Sequence, residues 1–187
     1  MIILGSSSPR RQQLLKEVIS DFKIVIPTFD ETLISKTVKD YALQESKNKA
    51  LSIKNLVNHD DFVITCDTIV KLNDEILGKP ANEKEAFDGL KKLSGNVHQV
   101  ISGVTIIYKD EIISEEIVTE VFFNELSDEQ INYYIQNENV LDKAGGYAIQ
   151  DDEKFHLVNK IKGSYTNVVG FPMEYITSML RKFQIIQ

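Results

Sequence analysis

The chain has 187 residues, of which 42% are apolar and 26% charged, so it is long enough for one compact domain with its own core and is neither disordered nor fibrous in composition. Its 21 Lys and Arg against 28 Asp and Glu leave a formal charge of −7, which repels a long nucleic acid and excludes one as an expected partner. A small anion stays open, because screening confines the field of a locally positive pocket to about 10 Å.

The first predicted element is a buried strand at Ile2-Ile3-Leu4, cut off by Gly5-Ser6-Ser7-Ser8-Pro9. A helix follows, with Ser8 as N-cap, Pro9 as first helical residue and Leu14, Leu15, Val18 and Ile19 at helical spacing. Phe22 to Ile26 reads as a short strand ended by Pro27. Asp30 and Glu31 lead into a longer helix, capped by a variant box at Thr37 and Asp40 and running to about Asn55, with Lys47 and Lys49 near its middle. Phe62 to Cys66 is the clearest central strand and reaches its end at Asp67-Thr68, with a β extension toward Leu77.

Gly78-Lys79-Pro80 breaks the chain, and Asn82 with Glu85 caps a helix to about Leu93. Val97 to Tyr108 and Ile112 to Phe123 are β-rich and are joined by Lys109-Asp110-Glu111, the pattern of an antiparallel pair. Ser127 and Gln130 cap a helix ending near Asn137, and a strand is predicted over Phe155 to Ile161. A Gly163-Ser164 turn and a helix from about Pro172 to Phe183 complete the pattern, which is that of a single α/β domain over 1–187 on a mixed sheet flanked by helices. No stretch approaches the roughly 20 apolar residues of a membrane span, and the N-terminus does not have the pattern of a signal peptide. The lone Cys66 cannot form an internal disulfide and fits a reducing, cytoplasmic compartment.

Three groups of residues carry chemistry. In Gly5-Ser6-Ser7-Ser8-Pro9-Arg10-Arg11, small residues at a helix start let backbone N–H groups approach an anion, and two guanidinium groups add charge-assisted bonds. The same segment is also what an ordinary capped helix with surface arginines looks like. Asp67, at the end of an apolar strand, stands where α/β sheets present ligand-binding groups, and with Glu31 it can hold Mg²⁺ or Mn²⁺ or deprotonate a water. An aspartate making an Asx turn fits that position equally well. Lys79, in a rigid Gly-Lys-Pro turn, and Lys49 are the third group, and by helical pattern Lys47 competes with Lys49. Cys66 reads as inert core, and His59, His98 and His156 lack metal-ligand spacing.

Together these segments resemble the Maf-like nucleoside triphosphate pyrophosphatases. The matching stretches are Ser6 to Arg11, Asp30-Glu31, Lys49-Ala50, Cys66-Asp67-Thr68, Gly78-Lys79-Pro80, Leu93-Ser94-Gly95 with His98 and Val100, Asp142 to Tyr147, Ile149-Gln150, and Gly163-Ser164-Tyr165 with Asn167 to Gly170, in the family's order. The resemblance implies a fold like that of the Maf and inosine triphosphatase proteins with a central nucleotide-binding cleft, and a homodimer. It implies hydrolysis of a nucleoside triphosphate between its α and β phosphates, aided by a divalent cation. Residue by residue, Asp67 matches the catalytic carboxylate and Glu31 its partner acid. Arg11, Lys49 and Lys79 match the phosphate-holding cations, and Ser6 and Ser8 belong to the cradle.

Arg10, Thr68 and Gln150 look like the dTTP/UTP branch, and a glutamine amide can pair with a pyrimidine edge. The alternatives are the branch acting on 7-methyl-GTP and a non-catalytic nucleotide-binding regulator of septum formation. Cys66, Val140-Leu141 and Phe171 depart from residues usual in the family, and none of these changes removes a charged group.

Overall fold

The structure is a computed structural model that describes residues 1–29 and 40–187. In chain order the elements are β1 (Ile2–Gly5), α1 (Pro9–Lys16), β2 (Lys23–Ile24), α2 (Tyr41–Ile53), β3 (Phe62–Leu72), β4 (Glu75–Leu77), α3 (Glu83–Leu93), β5 (Val97–Tyr108), β6 (Glu111–Phe123), α4 (Asp128–Asn137), α5 (Asp152–Phe155), β7 (Val158–Lys162), α6 (Tyr165–Val169) and α7 (Met173–Lys182). Among the described residues the strands form a mixed seven-stranded sheet in the order β2-β1-β3-β5-β6-β7, with β4 paired to β3. The pairs β1–β2 and β1–β3 are parallel, whereas β3–β4 and β6–β7 are antiparallel.

The helix starts follow their capping residues. Ser8 accepts from the Arg11 amide at the head of α1, Asn82 accepts from the Glu85 amide before α3, and Ser127 with Gln130 closes a reciprocal capping box on α4. Several boundaries differ from the sequence expectation. Helix α1 stops at Lys16, because its last turn tightens into a bond from the Val18 amide to the Leu15 carbonyl; Ile19 is still buried but Val18 is exposed. Strand β2 is limited to two residues paired with Ile3 and Leu4. Asp40 is itself the N-cap of α2, at φ 61 and without a side-chain capping bond, while Thr37 lies outside the described residues.

Strand β3 does not end at Asp67 but continues to Leu72, because Val70-Lys71-Leu72 pair with β4. Phe155 closes the short helix α5 instead of opening a strand. Its ring packs 4.9 Å from that of Tyr134, and the Asp152 carboxylate draws the chain back by accepting from the Val158 amide at 2.7 Å. The unexpected helix α6 starts at Ser164, whose hydroxyl accepts from the Asn167 amide.

The chain divides into two compact units: Met1–Thr68, Ser102–Ile117 and Gly170–Gln187 form the first, and Ile69–Ile101 with Val118–Val169 form the second. In the first, strand alternation sorts side chains between two apolar clusters. Leu4, Phe62, Ile64 and Cys66 join Leu15 of α1 and Ile176 and Leu180 of α7, whereas Ile3 and Val63 join Ala50 and Ile53 of α2. In the second unit, Leu90, Val121, Ile131 and Tyr134 centre one cluster. Beside it the buried His98 imidazole meets the Tyr147 hydroxyl at 2.7 Å, and burial lowers its pKa to about 4, so it is neutral near pH 7.

Helix α2 lies exceptionally close to the sheet. A Cβ on Gly103 of β5 would stand 2.2 Å from the Ala42 carbonyl oxygen, and one on Gly5 would stand 2.8 Å from Ile53 Cδ1. Only a missing side chain allows that approach. Gly103→Ala is expected to cost about 1–3 kcal/mol and lower the thermal unfolding midpoint by roughly 3–10 °C. An unchanged midpoint in a melting experiment would mean that α2 can retreat at no cost.

Candidate active site

Strand β3 places Asp67 by the same alternation that builds the core. Val63, Thr65 and Asp67 share the face turned to α2; Val63 packs with Ala50 and Ile53, and Thr65 Oγ1 donates to the Ser46 carbonyl at 2.7 Å. The parallel ladder with β1 ends at Thr65, and the β4 ladder begins at Val70. Asp67 therefore stands on a stretch of strand that has left one of these partners and not yet met the other.

On the facing helix, Ala42, Glu45, Ser46, Lys49, Ala50 and Ile53 follow the three- and four-residue steps of a single stripe. A lysine on that stripe cannot reach water as an outward-facing one does. Its Nζ donates to Asp67 Oδ1 at 2.7 Å, with side-chain exposures of 12% for Lys49 and 16% for Asp67. Lys47, off the stripe, is exposed. The Lys49 ammonium also lies 3.9 Å from Oε2 of Glu45, one turn back along the helix. Beneath it the hydroxyls of Ser46, Thr105 and Ser114 are linked at 2.9 Å each, tying α2 to the strands.

Thr68 points to the opposite face, where α1 supplies Arg11. Three of the five guanidinium donors have partners among the described residues: Nε bonds the Gly170 carbonyl at 2.9 Å, Nη1 the Cys66 carbonyl at 2.6 Å and Nη2 the Thr68 hydroxyl at 3.3 Å. The Thr68 hydroxyl also meets Ser102 Oγ at 2.8 Å and the Gly170 carbonyl at 3.2 Å. Arg11 thus holds the chain on both sides of Asp67, through the Cys66 carbonyl and the Thr68 hydroxyl. Ser6 accepts from the Ser8 amide at 3.1 Å and Ser8 from the Arg11 amide, so both hydroxyls shape the loop, and Arg10 is half-buried on the first turn of α1. Cys66 is buried, and burial pushes its thiol up, the reverse of what a nucleophile needs.

The predicted site residues are therefore distributed as follows. Ser6, Ser8, Arg10, Arg11, Lys49, Asp67 and Thr68 belong to the first unit, where Lys49 and Asp67 are in direct contact. Lys79 and Gln150 belong to the second unit, both exposed; the turn carrying Lys79 is held by the Gly145 amide, which donates to the Gly78 carbonyl at 3.0 Å. Glu31 lies outside the described residues. Sequence reasoning missed Glu45, Ser102 and Gly170. Glu45 had a signal in its place four residues before Lys49 on the apolar stripe, while Ser102 and Gly170 reach the site only through tertiary contacts.

If the Arg11 guanidinium is a clamp, its planar fork matters as much as its charge. Arg11→Lys, which keeps the charge, is expected to lose roughly 2–3 kcal/mol and lower the melting midpoint by about 4–10 °C. A midpoint equal to that of the wild type would show that the three bonds contribute nothing.

Residues 1–183 match the family model described as Maf-like protein. A protein of Clostridium botulinum (strain Eklund 17B / Type B) named dTTP/UTP pyrophosphatase is 40% identical over 185 residues, covering 97% of this chain and 98% of its own. One of the same name from Clostridium beijerinckii is 42% identical over 191 residues, covering 98% and 99%. Among solved structures, a HAM1 protein from Coxiella burnetii has the same fold at a TM-score of 0.52 and 15% identity, covering 97% of this chain and 98% of that one. The chain belongs to the Maf-like protein family.

Proposed function

We propose that the chain is a nucleoside triphosphate pyrophosphatase that hydrolyses dTTP and UTP to the monophosphate and pyrophosphate, the activity for which its relatives of about 40% identity are named. The observation that carries the reading on this chain is the 2.7 Å pair of Lys49 and Asp67. It puts a carboxylate and an ammonium together at low exposure, where charge on a phosphoryl group is offset more strongly than in bulk water.

In this reading a water oxygen attacks the α phosphorus, the bond to the bridging oxygen of the β phosphate breaks, and the proton from water passes to a carboxylate. Asp67 is that acceptor, because Lys49 occupies Oδ1 and Oδ2 has no hydrogen-bond partner among the described residues. The Lys49 ammonium, already beside the acid, offsets charge on the transferred group, and Arg11 keeps the 66–68 backbone in place. Lys79 and Arg11 contribute charge toward the phosphates. Arg10, Thr68 and Gln150 select the base, and the chain acts as a homodimer in the cytoplasm.

A divalent cation fits the donors. Among the described residues no group of three or more His, Cys, Asp or Glu is arranged to hold a metal. Asp67 supplies hard carboxylate oxygens, and Mg²⁺ or Mn²⁺ commonly takes one or two carboxylates with the remaining positions filled by water and substrate phosphate; Glu31, the expected second acid, lies outside the described residues. When bound, the cation supplies positive charge opposite the phosphates. No described helix is long and apolar enough to cross a membrane.

The test is pyrophosphate release from dTTP, UTP and 7-methyl-GTP with Mg²⁺ or Mn²⁺, by the wild type and Asp67→Asn. The wild type is expected to turn over dTTP and UTP fastest, and the variant to be slower by about 10²–10⁴-fold. Equal rates in the two proteins would remove Asp67 from the mechanism, and faster turnover of the methylated purine would overturn the base assignment. A protein that binds dTTP without releasing pyrophosphate would be the nucleotide-binding regulator.

A further inference from the structure

Glu45 is a carboxylate at 1% exposure, on a helix face otherwise lined by Ala42, Ser46, Ala50 and Ile53. An acid withdrawn so far from water is held there by charge or hydrogen bonding, and a helix that needed only to pack would carry an apolar residue at this place. Its Oε2 lies 3.9 Å from Lys49 Nζ, with the glutamate four residues before the lysine, the favourable orientation of such a pair. The same ammonium lies 2.7 Å from Asp67. Among the described residues this cation is thus shared by two acids, one from its own helix and one from the strand it covers. A lysine side chain has four rotatable carbons and would otherwise follow the strongest negative charge presented to it, which during turnover is a triphosphate.

We propose that Glu45 is a positioning residue that holds the Lys49 ammonium against Asp67, so that the cation stays at the reacting acid when the polyanion binds; this rests on the pyrophosphatase reading above. The second acid works against affinity, because its negative charge weakens the pull of Lys49 on phosphate, and in favour of rate, because it keeps the ammonium in place. Removing the charge of Glu45 therefore divides the two kinetic constants. It strengthens the hold on substrate while slowing the chemical step, a division that loss of packing does not produce.

The experiment measures kcat and KM for dTTP, affinity for a non-hydrolysable dTTP analogue, and melting temperature in the wild type, Glu45→Gln and Glu45→Leu. In both variants kcat is expected to fall about tenfold or more, as for a modest misplacement of a reacting group, while KM falls or holds and the analogue binds several-fold tighter. Glu45→Leu is expected to melt at or above the wild-type temperature, since apolar replacement of a buried charge is often neutral or stabilising. Unchanged kcat and KM would overturn the proposal. So would a raised KM with a loss of rate that tracks loss of folded protein, or failure of both variants to fold, since each would make Glu45 a structural residue only. Absence of dTTP turnover in the wild type would instead refute the pyrophosphatase reading; analogue affinity then decides the role of Glu45, and an unchanged value in Glu45→Gln would contradict it.

Discussion

The close seating of α2 on the sheet is the constraint from which the proposed chemistry follows. Gly103 leaves room for the Ala42 carbonyl, and Gly5 leaves room for Ile53. Between those two close contacts the stripe of α2 that faces β3 carries Glu45, Ser46 and Lys49 among the small Ala42 and Ala50. Strand alternation turns Val63, Thr65 and Asp67 to the same side. An apolar contact at Val63 and a hydroxyl contact at Thr65 thus lead to a charged contact at Asp67. The pairing of Lys49 with Asp67 is the last step in a register set by ordinary packing.

The other face of β3 has a complementary role. After Thr65 the strand leaves its parallel partner, and the carbonyl of Cys66, the hydroxyl of Thr68 and the carbonyl of Gly170 are gathered by one guanidinium. Arg11 thus holds from behind the segment whose Asp67 side chain points toward α2. Arg11, expected from the family pattern to meet phosphate, gives three N–H donors to groups among the described residues, and those bonds hold the chain on either side of Asp67.

Much of this was legible in the sequence where the signal is local. Ser8-Pro9, Asn82 with Glu85 and Ser127 with Gln130 announce helix starts through groups a few residues apart, and the run Phe62 to Cys66 announces a buried strand. What failed depended on distant partners. The β extension toward Leu77 is present as the end of β3 and β4, but the sequence does not reveal that β3 runs unbroken through Asp67, and Phe155 reads as strand because its ring is seated on Tyr134 of another helix. In the site, Asp67 and Lys49 stood out through motifs, while Glu45 did not, since an acid on a helix usually marks its solvated face. Only the seating of α2 makes it a buried group.

In the proposed reaction an acidic protein handles a polyanion and needs its cations held where they act, and among the described residues the Lys49 ammonium stands against both Asp67 and Glu45. The account stands on Lys49 and Asp67 working as one unit. The most direct measurement is kcat for dTTP in Lys49→Met, Asp67→Asn and the double variant. Groups that act together lose their function once, so the double variant should be no more than about threefold slower than the slower single variant. Losses that multiply would show that the two side chains act independently and would contradict the account.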